Sequence, residues 1–305
     1  MERRQPNSLV KFTTAESAIK ILTEGKLRWS APCCFHDPFE LDHRSALNFD
    51  SRALLLAAVK NTIALIFSRD EPRGGSPLIK AIRRWRAEER FESEEEAHEV
   101  LSELLQSMVT QREPELLSIM RDWRNYSKSL RVLCMSDGHE DINLWHTYSD
   151  NHTGAAIRFG CAEDSSLASP HPVHYTERKP EITPLSEQIE ILINQSNIRV
   201  QDSFPEKFLT KAKPNSKEKE WRFLREASGN PSHDETSWFE DVPFPLTEVR
   251  AVYLGSAIDS KNKEQLLSLV KRKYQKVKIF QAQPLHHKYE LDFERINSSG
   301  NPLPA

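Results

Sequence analysis

Glycine is scarce in this chain, nine in 305 residues. None of the nine is spaced as G-x-x-x-x-G-K-[ST] or G-x-G-x-x-G, so there is no recognisable loop of backbone amides to cradle nucleotide phosphates. That argues against P-loop and Rossmann enzymes. Cysteine is limited to four residues, Cys33, Cys34, Cys134 and Cys161. An adjacent pair does not easily close on itself and no C-x-x-C occurs, so reduced thiols without structural zinc are expected. The absence of H-E-x-x-H and G-x-S-x-G removes the local anchors of zincins and serine hydrolases. Charge of one sign is also lacking: 42 Lys and Arg against 45 Asp and Glu give a net charge of -3. No global basic field recruits nucleic acid, although a local patch remains open. Long apolar runs are missing too, the longest, "ALLLAAVKNTIALIF", being interrupted by Lys60 and Asn61. The N-terminus carries no apolar run of signal-peptide length, and a cytoplasmic protein without a membrane span is expected.

What is present is enough apolar residue, 38%, to bury a substantial core. The first fifty residues read strand, helix, strand: "SLVKFTT", "AESAIKILTEG" closed by Gly25, and "KLRWSAP" ended by Pro32. From Ser51 to about Ser127 the pattern is helical, with Gly74 and Gly75 as a turn and Ser93 with Glu96 as a capping box. Strand character returns at "LRVLCMS", "GAAIRFG" and "PVHYTE". A polar helical stretch from Pro184 to Lys213 leads into the charge run "KEKEWRFLRE". "EVRAVYLG", the helix "KNKEQLLSLVKRKYQ" and the strands "KVKIFQAQ" and "KYELDFERI" complete the chain. The sum is one α+β domain over 1–297 with a mixed or antiparallel sheet, a helical insertion at 51–127 and a disordered tail at 298–305.

Three stretches concentrate chemistry. "LWHTYSDNHTGAAIRF", Leu144 to Phe159, sets Trp145 and Tyr148 three apart on a helical turn, where both are expected to face inward. His152, just before the Gly154 break, either caps the turn or projects into a cleft. "SAPCCFHDPFE" forms a rigid turn in which Asp37 caps the turn or lines a ligand loop. In "SKEKEWRFLRE", Glu218, Glu220 and Arg222 alternate, so as a strand they share one face while Lys219 and Trp221 take the other. Two carboxylates on one face repel unless Arg222 or a cation relieves them; a solvated charged edge strand is the plain alternative.

The segments "LVKF…GKLRWSAPCCFHDPFE", "RVLCMS…LWHTYSDNHTGAAIRF", "HYTE", "EKEWRF", "VRAVYLG" and "VKIFQAQ…KYELDF" stand in an order and spacing that resembles the bacterial family called domain of unknown function 2971. The resemblance covers the chain apart from the helical block and the tail. It departs at His36, where the family usually has Asn, and at Asn215, where an aromatic is common. More loosely, the strand, helix, strand opening and the late strand carrying a glutamate resemble the layout of ADP-ribosyltransferases. That likeness implies NAD as substrate, with ADP-ribose passed to a nucleic acid or protein acceptor, as in a toxin or phage-defence effector. It further implies Lys11 and Arg222 on pyrophosphate, Trp29 with Ser30 and Tyr148 about the nicotinamide and ribose, and His152 in the same cleft. Glu220 would stabilise the oxocarbenium-like transition state and Glu218 would face the acceptor. A metal-dependent hydrolase using Asp37, Glu218 and Glu220, and a non-catalytic binding module, are the competing readings.

Overall fold

The computed structural model describes residues 4–35, 37–194, 196–229 and 235–303, so His36 lies outside the described residues. The elements run β1 Ser8–Thr13, α1 Ala15–Glu24, β2 Lys26–Ser30, α2 Ser51–Phe67, α3 Pro77–Ala87, α4 Glu94–Ser129, β3 Leu130–Ser136, α5 Ile142–Tyr148, β4 Ala155–Gly160 and β5 His171–Pro172. They continue β6 His174–Thr176, α6 Leu185–Asn194, α7 Phe204–Lys207, β7 Thr210–Ala212, β8 Glu220–Glu226, β9 Phe239–Pro243, β10 Val249–Leu254, α8 Ser260–Lys273, β11 Lys278–Pro284 and β12 Leu291–Ile296. The fold is mixed α+β. Two compact units are formed, one of Met1–Glu40, Lys128–Lys179 and Leu209–Ala305, the other of Leu41–Ser127 and Pro180–Phe208. The helical block expected at 51–127 therefore belongs to a unit that also takes in the segment bearing α6. Among the described residues no helix is long and apolar enough to cross a membrane.

The first unit is built on a sheet that forks. β3 pairs with β8 along its whole length, which uses one of its edges. Its other edge is shared, Ser136 opposite Val10 of β1 and Val132 opposite Ser30 of β2. One arm then runs β1-β4-β10-β11-β12 and the other continues from β2 to β9. Among the described residues only β10 and β11 are parallel within this sheet, and α8 supplies the crossover that a parallel pair requires. Helix α1 starts where the Thr14 side chain accepts from the Ser17 N–H, and it stops at Gly25, which takes the left-handed φ of 68° that a side chain would resist. Leu9, Leu22, Trp29, Leu133, Ile157, Trp221, Phe223 and Val252 form the main core with the apolar face of α8. On the opposite face of the β1 arm, Trp145 of α5 lies edge-on to Phe12 at 5.3 Å. Two glycines allow the α5 end to meet the strand ends: a Cβ at Gly154 would stand 2.3 Å from the Thr13 carbonyl, and one at Gly255 2.1 Å from that of His152.

Of the stretch expected as a disordered tail, residues 298–303 are described: the chain turns at Gly300 and the Leu303 N–H donates to the Arg295 carbonyl at 2.9 Å. In the second unit Trp123 of α4 is fully buried, stacked on Phe208 and edge-on to Phe204, each at 5.1 Å. Its Nε1–H donates to the Asp42 carbonyl. Arg86 of α3 donates to the Ser68 and Asp70 carbonyls just past the end of α2, a C-terminal position where a cation is favoured.

Candidate functional site

Strand β8 alternates as its sequence suggests, but it begins at Glu220. Trp221 and Phe223 enter the main core, while Glu220 and Arg222, opposite Ser136 and Cys134, are buried on the other face at 6% and 1% exposure. Glu218 is not on that strand. It closes a 3-10 turn over Lys213–Glu218, and Lys219 takes a left-handed φ of 47° before β8 starts. Glu218 and Glu220 converge on an unforeseen partner instead. Lys211 Nζ of β7 donates to Glu218 Oε2 at 2.6 Å and to Glu220 Oε2 at 3.2 Å. Arg222 Nε donates to Glu220 Oε1 at 2.8 Å, and its two terminal nitrogens grip Glu40 at 3.0 and 2.5 Å. The result is one chain of charge, Glu40, Arg222, Glu220, Lys211, Glu218, with two cations against three carboxylates.

Neutral groups complete the cluster. The Tyr148 hydroxyl accepts from Lys211 Nζ at 3.4 Å, the Tyr175 oxygen accepts the Glu220 N–H at 2.8 Å, and the Ser136 hydroxyl donates to the Glu218 carbonyl. The guanidinium of Arg222 lies 5.3 Å over the Phe35 ring. The two carboxylates diverge electrostatically. Burial would raise Glu220, but the Arg222 and Lys211 charges more than reverse it and hold it at about 2. For Glu218, burial is the largest influence and outweighs Lys211, so its carboxyl lies above the usual range. Lys211 is raised, the carboxylates and Tyr148 overcoming its burial. Burial pushes Tyr148 and Tyr175 each up to about 12, and Cys134 is raised by burial and then by Glu220.

The remaining expected residues divide. Lys11 Nζ donates to the Cys134 carbonyl at 3.1 Å, at the part of β3 between its single pairs with β1 and β2. Ser30 shares the face of Val132 and hence of Cys134 and Arg222. Trp29, its neighbour, points the opposite way by strand alternation and is 6% exposed, edge-on to Phe223 with the Arg225 guanidinium 5.6 Å over its ring; this packing leaves it no open face for a ligand. The expectation that Trp145 and Tyr148 both face inward is corrected, since Trp145 is buried and Tyr148 is 43% exposed. His152 is half-buried. Its ring stacks on Trp145, its Nδ1 has no hydrogen-bond partner among the described residues, and it is lowered by burial and by His146. Asp150, Asn151 and His152 are all left-handed, which turns the chain sharply and directs His152 toward Trp145. Asp37 accepts the Phe39 N–H within its own turn.

Glu40 and Lys211 were missed. Glu40 lies in the quoted "DPFE", so a signal existed; Lys211, in "LTKAKP", had none. An open groove of about 470 Å³ lined by Thr176, Glu177, Ala212, Lys213 and Pro214 borders the ribbon in which Tyr175 and Lys211 pair. Among the described residues no three His, Cys, Asp or Glu side chains converge as a metal site would need. The chain matches no protein-family model, no curated protein and no solved structure.

Proposed function

We propose that this chain is an ADP-ribosyltransferase-like enzyme that cleaves the N-glycosidic bond of NAD and passes ADP-ribose to a nucleic acid or protein acceptor. The observation that carries the reading is the pair of carboxylates sharing Lys211, one raised and one held at about 2. Environments that push two acids apart in this way are how one site assigns a proton-transferring group and a permanent anion. Glu218, at 19% side-chain exposure, is the one able to take a proton from an acceptor. Glu220 has both oxygens engaged, so its contribution is the fixed negative charge that steadies Lys211 and opposes charge developing on the ribose. Tyr148, half out of the protein beside Lys211, is the ring available to stack on nicotinamide. The quoted segments "DPFE", "LWHTY", "HYT" and "EKEWR" each contribute to the cluster.

The test is NAD consumption and acceptor labelling by wild type, Glu218→Gln and Glu220→Gln, with folding checked by circular dichroism. Each variant should slow transfer at least about a hundredfold, and Glu218→Gln should spare NAD hydrolysis more than acceptor modification. Full activity in both, or no NAD consumption by wild type with any acceptor, refutes the proposal. A non-catalytic scaffold is the second reading, favoured by the mutual satisfaction of Glu40, Arg222 and Glu220. The metal-dependent reading has less support, since Lys211 Nζ already stands between the two carboxylates it would use.

A further inference from the structure

We propose that one face of the β1-β4-β10-β11-β12 arm is a binding surface for single-stranded nucleic acid. It is the face opposite the main core, and strand register fixes what stands on it. Val10, Phe12, Ala156, Ala251 and Tyr253 form its buried centre with Leu144 and Trp145 of α5. Arg158 lies opposite Val10 and Ala251, Lys278 opposite Ala251, Phe280 opposite Tyr253, and Arg295 opposite Phe280. Arg250 joins them at the irregularity between Val249 and Ala251, where an extra residue re-aims a side chain. Its guanidinium crosses Gly160, at which a Cβ would stand 3.0 Å from the Arg250 Nε.

The four cations share a face on which no strand position is acidic. Arg250, Lys278 and Arg295 are exposed, and among the described residues none of the four forms an ion pair. Arg158 is half-buried. Its nitrogens donate to the Tyr253 hydroxyl at 3.1 Å and the Ser8 hydroxyl at 3.2 Å, and reach His139 Nδ1 at 3.0 Å. Burial lowers His139, so all three partners are neutral, and the acid nearby, Glu140, meets His139 Nδ1 at 3.0 Å instead. A guanidinium drawn partly out of water is stabilised most by an anion, which the chain itself does not supply here. Rings stand among the cations. Phe280 stacks on Tyr253 at 5.1 Å, and Phe293 lies edge-on to Tyr253 at 5.7 Å and to His139 at 4.4 Å. Both phenylalanines are half-buried, so part of each ring meets solvent. Cations that can follow phosphates, with rings between them, suit a single strand, whose unpaired bases are free to stack. A duplex or an anionic membrane offers the charge without the base faces. Binding here needs no NAD chemistry, so the inference stands or falls apart from the transferase reading.

The experiment follows the fluorescence anisotropy of a labelled oligothymidylate of about 12 nucleotides as the full chain is added, without NAD, at several salt concentrations. Four phosphate contacts predict a slope of log K against log salt of about -3, each contributing about -0.7. The triple variant Arg250→Ala, Lys278→Ala, Arg295→Ala removes three exposed cations and should flatten the slope to about -0.7. Phe280→Leu keeps an apolar side chain without a ring and should weaken binding at least about fivefold. Thermal melts report the folding of each variant, and Phe293→Leu is the second ring variant should Phe280→Leu melt early. No binding at low salt, a slope unmoved by the triple variant, or unchanged affinity in the folded ring variants would each overturn the assignment. Tighter binding to a duplex of the same length, or to vesicles of anionic phospholipid, would overturn it as well.

Discussion

Replacing Arg222 by Met tests whether the buried charges act as one unit. Arg222 is 1% exposed and holds Glu220 at 2.8 Å and Glu40 at 3.0 and 2.5 Å. Met fills similar volume without charge, so the loss is electrostatic. Removing one partner of a buried pair costs about 3–5 kcal/mol because the other is left uncompensated, a large part of a typical domain's 5–15 kcal/mol. The pH dependence supplies a sharper check. Glu220 is depressed to about 2 from an ordinary value near 4.3, a displacement of about two units worth roughly 3 kcal/mol. That stabilisation is fully present above about pH 4.3 and is lost as pH falls toward 2. In Arg222→Met the depression weakens, so the Glu220 carboxyl can relieve its burial by taking a proton. The deficit relative to wild type should therefore be largest at pH 7 and shrink toward pH 4. Urea titrations followed by far-UV circular dichroism, with amide exchange of β3 and β8 as a local readout, measure both. A deficit under about 1 kcal/mol at pH 7, or one that grows on acidification, would sink the argument.

Gly255→Ala should destabilise by about 3 kcal/mol or more, since its Cβ would meet the His152 carbonyl at 2.1 Å; a melting temperature within a degree or two of wild type would refute the close approach. Glu94→Ala with Glu95→Ala, both exposed in the first turn of α4, should cost no more than about 1 kcal/mol through the helix dipole. Loss of soluble protein in that double variant would show these positions to be packed. Trp123→Ala should cost about 3–5 kcal/mol, with faster amide exchange in α4, because it removes a stacked ring and the donor to Asp42; unchanged exchange there would contradict the assigned core.

Local signals carried much of the fold. Thr14 and Gly25 bracket α1 as capping chemistry predicts, and the strands at Leu130, Ala155, Val249 and Lys278 stand where alternating or continuous apolar runs put them. What the residues did not announce depends on distant partners. The edge strand β9, "FEDVP", is short, carries two acidic residues and a proline, and becomes a strand by pairing with β2. Pro114 suggests a break, yet α4 runs unbroken from Glu94 to Ser129, so packing along its apolar stripe outweighs the lost hydrogen bond. The fork at β3 rests on the single pairs Val10–Ser136 and Ser30–Val132, which no periodicity encodes.

The site was legible to the extent that its residues repel one another in sequence. Glu218 and Glu220 so close together demand a relieving cation, and Arg222 was the visible candidate. The structure uses it for Glu220 and Glu40, and brings Lys211 from β7 for Glu218. Lys211 escaped notice because a lone lysine in a polar stretch reads as solvated surface, whereas its side chain is 6% exposed. An arrangement of three carboxylates around two cations is a poor choice for stability alone. Desolvating each ion costs several kcal/mol, and well-packed apolar residues of similar volume commonly do as well or better. The same cluster also leaves one carboxyl raised and partly exposed while its neighbour is locked as an anion. Stability does not require that asymmetry; under the function proposed above, it is what proton transfer at Glu218 beside a fixed negative charge would use.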